Sequence, residues 1–72
     1  MNVYVGVITT NGKPESVIVN VDKEWVADEI VGKVIENVKA GEWGRALEEL
    51  VEDGYYEVND KIVLSILPTK MF

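Results

Sequence analysis

Carboxylates are the most concentrated chemical resource in this chain. Between residues 42 and 60, seven acids (Glu42, Glu48, Glu49, Glu52, Asp53, Glu57 and Asp60) stand against Arg45 alone. Glu48, Glu49, Glu52 and Asp53 fall on consecutive turns of a predicted helix, with Glu48 and Glu52 at i, i+4. Such a group could hold a divalent cation or do acid–base work. A calcium loop, however, needs oxygen ligands at alternating positions around a glycine, and that spacing is absent. Catalytic carboxylate pairs normally face each other across a cleft from different elements. The plainer reading is a solvated helix face. A third reading is that the acids imitate the charge line of a nucleic-acid backbone and occupy a partner's basic groove. Glu24, Asp28 and Glu36 would join Glu42, Glu48, Glu49, Glu52 and Asp53 in that surface.

Other chemistry has little to draw on. The chain contains neither histidine nor cysteine, so the commonest general base, the commonest metal ligand and the thiolate nucleophile are all missing. Ser16, Ser65, Thr9, Thr10 and Thr69 have no histidine to activate them, and no lysine has an activating neighbour in sequence. The glycines match neither the phosphate loop nor the dinucleotide fingerprint. No catalytic residue, metal ligand or cofactor is expected. The formal net charge of −6 also argues against direct contact with nucleic acid, which needs a basic footprint. Trp25 and Trp43 have two readings each: core anchors, with Trp43 the stronger claimant, or exposed binding hot spots beside the acids.

The elements that must position these residues follow from periodicity. Val3, Val5 and Val7 alternate with Tyr4, Gly6 and Ile8, and Val17, Val19 and Val21 alternate with Ser16, Ile18 and Asn20, predicting a hairpin. A two-residue Asn11-Gly12 turn would pair Val5 with Ile18 and scatter the valines over both faces. A three-residue loop, Thr10-Asn11-Gly12, pairs Val5 with Val17 and Val3 with Val19, with Gly12 left-handed, and is preferred because register follows the buried face. Six valines then line one face and take the helices. Tyr4, Ile8 and Ile18 line the other, joined by Tyr55, and form a candidate oligomer face open to water.

Asp22 is the expected cap of a long helix whose stripe is Ala27, Ile30, Val31, Val34, Ile35 and Val38, stopped by Gly41. Gly32 within it is either a site of close approach or tolerated slack. A second helix, roughly 43–52, turns Ala46, Leu47, Leu50 and Val51 inward and ends at Gly54. A second hairpin runs from Tyr55 to Val58, turns at Asn59-Asp60 and returns from Lys61 or Ile62 to Leu67, closed by Pro68. The order β-β-α-α-β-β predicts a single α+β domain, 1–72, two layers deep, with helices on one face of an antiparallel sheet.

At 72 residues the chain buries only about 60% of the surface it exposes unfolded, which leaves a thin stability margin. Thirteen valines and six isoleucines offer dense packing, and burial against a second chain is the other remedy. Residues 1–4 lack a basic leader and the longest apolar run is three residues, so the expected setting is cytoplasmic, without a membrane span. In size and charge the chain resembles the short acidic proteins of phages and other mobile elements, which often inhibit a host enzyme. No motif is shared, so no site residue carries over from that resemblance.

The expectation is a non-catalytic interaction module: an acidic inhibitor that occludes a basic, nucleic-acid-binding surface of a larger protein. Its partner-binding residues would be Glu42, Trp43, Glu48, Glu49, Glu52 and Asp53. The alternative is a homo-oligomer, at simplest a homodimer, with an assembly role, pairing through the open sheet face. An enzyme fits least, because a chain this small leaves little room for a pocket of about 300 Å³.

Overall fold

The computed structural model describes residues 2–70. The chain forms β1 (Asn2–Thr10), β2 (Lys13–Asn20), α1 (Lys23–Lys33), α2 (Trp43–Asp53), β3 (Tyr55–Glu57) and β4 (Ile62–Lys70). All strand pairings are antiparallel and the sheet order is β2-β1-β4-β3, so the first and last strands lie at its centre. Both helices cover one face. This is the expected two-layer α+β arrangement in the expected order of elements.

The first hairpin turns on two residues, not three. Asn11 and Gly12 both take positive φ, 53° and 79°, and Thr10 pairs with Lys13, as a tight primed turn requires. The register then slips between Ile8 and Thr9: Thr9 opposes Pro14, while Ile8 opposes Ser16. Pro14 has no N–H for the ladder, and a bulge is where a strand tolerates that. The bulge shifts the register by one residue in the opposite sense to the longer loop. Valines still meet valines, but as Val5–Val19 and Val7–Val17 rather than Val5–Val17 and Val3–Val19.

The faces are the reverse of those expected. Tyr4, Gly6, Ile8 and Ile18 lie under the helices, where Ile8 is buried and Tyr4 and Ile18 pack against the core. The rest of that face is Leu64, Ile66, Ile62 and Tyr56. Facing them are Val26, Ala27, Ile30, Val31 and Val34 from α1 and its end, with Ala46 and Leu50 from α2. Gly6 is the hinge of the choice. A Cβ there would run into Val26 Cγ1 and come within 3.1 Å of Ile30 Cγ2, so only glycine lets α1 lie this close to the sheet. The alternation of β1 puts Tyr4 on the helix side, where Lys23 Nζ, in the first turn of α1, sits 5.8 Å from its ring centroid. The proposed oligomer face of Tyr4, Ile8 and Ile18 is therefore core, and Tyr55 points away from them to the opposite face.

α1 starts as expected: the Asp22 side chain accepts hydrogen bonds from the Glu24 and Trp25 amides at 3.0 and 3.3 Å. It stops at Lys33, well short of Gly41. Gly32 and the β-branched run Val31, Val34, Ile35 are poor helix formers, and the chain continues through 3-10 turns at Ile35–Asn37 and Ala40–Glu42. Ile35 is exposed as a result, whereas Val38, in extended backbone, still reaches the core. α2 matches its predicted span, and Gly54 caps it at φ 73° with its N–H bonded to Leu50 O. Pro68 does not close β4. The strand runs on to Lys70, with Pro68 opposite Tyr4. Because β3 begins at Tyr55 opposite Ser65, and only Gly54 O beyond it still accepts from the Ile66 N–H, β4 is an edge from Leu67 on, and an edge accepts a residue without an N–H.

Candidate functional site

The expected acidic surface divides around α2. Its first half is a groove between the helices. α1 contributes Glu24, Ala27 and Asp28, and α2 contributes Leu47, Glu48 and Val51. These residues line an open depression of about 310 Å³ in which three exposed carboxylates surround an apolar floor. The placement follows from helical spacing, since Glu24 and Asp28, and likewise Leu47 and Val51, are i, i+4 pairs.

The second half lies on the other flank of α2, against β3. Glu42, Arg45 and Glu49 meet Tyr55, Tyr56 and Glu57 around a depression of about 330 Å³. Arg45 pairs with Glu49 at 3.6 Å, an exposed i, i+4 contact worth about 0.3 kcal/mol. The Tyr56 hydroxyl donates to Glu42 Oε2 at 3.2 Å, which ties the start of α2 to β3. Burial raises the Tyr56 phenol above the usual tyrosine range, and the Glu42 charge and hydrogen bond raise it further. That phenol therefore stays protonated at neutral pH and acts as a donor. Glu52 and Asp53 are exposed at the end of α2 and line neither depression.

Of the expected contact residues, then, Glu48 belongs to the interhelical groove, together with Glu24 and Asp28. Glu42 and Glu49 belong to the β3 flank. Trp43 is 45% exposed and Trp25 43%, and neither is part of the buried core, contrary to the expectation for Trp43. Among the described residues no three acids converge closely enough to hold a metal ion. No helix among them is long and apolar enough to cross a membrane. Surface depressions of 310 to 400 Å³ do exist, so the expectation of too little room was wrong in volume; all are open to solvent.

No family model, curated protein or solved structure matches the chain.

An open face of the sheet was expected, but apart from Tyr55 it was given the wrong residues. Across the four strands, Val17, Val7, Ser65 and Tyr55 form one row. Val19, Val5 and Leu67 form the next, and Thr9, Val63 and Glu57 lie in line on the other side. Val17, Val19, Leu67 and Tyr55 are each more than half exposed, as is Val21 just beyond β2. A signal for this existed in the second hairpin. Tyr56, Leu64 and Ile66 alternate there with Glu57 and Ser65, but Tyr55, Val63 and Leu67 share the side of those polar residues, so the signal was partial.

Proposed function

We propose that this protein is a non-catalytic interaction module that sets its helical layer against a basic surface of a larger protein and keeps nucleic acid out of it. The interhelical groove carries this reading. Glu24, Asp28 and Glu48 ring a floor of Ala27, Leu47 and Val51, so one site offers negative charge and apolar surface together. A lysine- or arginine-bearing ridge fits that pattern, with its aliphatic stems on the floor and its charged heads among the carboxylates. Exposed Trp25 on α1 and Trp43 at the start of α2 add aromatic surface to the same layer. The acids would govern encounter rate and orientation, and the apolar contacts most of the affinity. Inhibition by occlusion, in the manner of small phage or mobile-element proteins, is the mode of action this implies.

The test is capture from a lysate of the source cell, or of its host, with wild type beside the triple variant Glu24→Lys, Asp28→Lys, Glu48→Lys. Captured protein should be displaced by added nucleic acid, weaken with salt and be lost in the variant, while circular dichroism stays unchanged. Capture indifferent to both charge reversal and nucleic acid would sink the reading.

A further inference from the structure

We infer that the face of the sheet opposite the helices is where two copies of this chain pack together, sheet against sheet; Val3, on the same face, is already buried, so the contact centres on Val5, Val7, Val19 and Leu67. This stands apart from the occlusion reading, because it uses the opposite side of the molecule. Val17, Val19, Val21, Leu67 and Tyr55 are 59, 52, 58, 58 and 52% exposed. Together these residues expose roughly 500 Å², short of about 800 Å² per partner in a standard interface. Half-buried Val5, Val7 and Val63 lie between them and extend the patch. A patch of this size lies within the range of the largest apolar patch on a monomer, about 300–600 Å², and such patches are often functional.

Charge selects the occupant. The chain carries −6, so two copies repel wherever acids meet. The acids of α1 and α2 lie on the helical layer, away from this face. On the open face Glu57 sits at the short β3 edge, and the bulge residue Glu15 lies beside the hairpin turn, bound by the Thr10 hydroxyl, away from the centre. The centre, Val5, Val7, Ser65 and Leu67 on β1 and β4, is uncharged. A basic partner finds little to pair with here, whereas a second copy brings a surface as neutral and as rich in β-branched side chains. Two such sheets stack about 10 Å apart in a self-complementary two-fold contact, which leaves the two acidic layers facing outward.

Edge-to-edge pairing is the weaker route for a second copy. β2 begins with Lys13, Pro14 and a bulge, and β3 is only three residues long. Both are devices that blunt a sheet edge.

Light scattering with sedimentation velocity, across low micromolar to near-millimolar protein, tests the inference. Wild type should move from 8.1 kDa toward about 16 kDa as concentration rises. Val19→Lys and Leu67→Lys should each weaken association by about a hundredfold or more, and the near-isosteric Val19→Thr by about tenfold. Association should tighten with added salt, which screens repulsion between the acidic layers, whereas docking to a basic partner would weaken. A wild type that stays at 8.1 kDa throughout overturns the inference. So does a dimer that survives all three substitutions with wild-type affinity, or one that only charge reversal on α1 and α2 disrupts.

Discussion

Replacing Gly6 with alanine tests the close approach that fixes which face of the sheet is core. The new methyl would overlap Val26 Cγ1 and press Ile30 Cγ2 at 3.1 Å. Both residues are fully buried, so neither can swing aside into solvent. Overpacking of this kind costs about 1–3 kcal/mol. Loss of glycine's unfolded-state freedom returns about 0.4–1 kcal/mol, which leaves a net destabilisation near 1–2 kcal/mol. For a domain of this size that lowers Tm by roughly 5–15 °C. Circular dichroism melts at one fixed, dilute concentration read this directly, since self-association would raise Tm on its own. Gly32→Ala is the control. No atom lies within 4 Å of a Cβ there, so the substitution should stabilise by up to about 1 kcal/mol. Adding Val26→Ala to Gly6→Ala should cost less than the two singles summed, by about 0.5 kcal/mol or more, because the shortened Val26 vacates space that the new methyl fills. A Gly6→Ala protein as stable as wild type, or strict additivity in the double variant, would refute the packing argument.

Two further predictions concern the fastening of the helices. Asp22→Ala removes the side-chain acceptor for the Glu24 and Trp25 amides and should cost about 1 kcal/mol, measured by urea unfolding. Tyr56 has a folded pKa raised by burial and by Glu42, so its contribution is complete below the unfolded tyrosine value near 10 and is lost as pH climbs through the folded value. Tyr56→Phe should therefore lose less stability than wild type between about pH 9 and about pH 11, which unfolding midpoints across that range would check.

Much of the local structure was legible in one dimension because its causes are local. The Asp22 cap, the α2 stripe of Ala46 and Leu50, and the left-handed stop at Gly54 each depend on a few neighbouring residues. The helix running past Lys33 was misread because spacing alone says nothing of the weak propensity of Gly32 and the β-branched run after it. The acidic residues were visible by type, but their division into an interhelical groove and a β3 flank depends on where α1 and β3 lie beside α2. Leu47 and Val51, expected simply as inward residues, become the floor of that groove only when α1 stands opposite.

The amino-acid sequence by itself determined the elements, their order, the concentration of acids on α2 and beyond, and the lack of imidazole and thiol. Only the tertiary structure decided which side of the sheet is core. In β1 and β2 both faces are apolar, so alternation there is ambiguous. The tie was broken when β4 paired with β1 and brought Leu64 and Ile66 to the same side as Gly6 and Ile8, where the missing Cβ admits α1. Larger side chains and a closer helix bury more apolar surface than the valine side could, and that difference left Val5, Val7, Val17 and Val19 on the outer face.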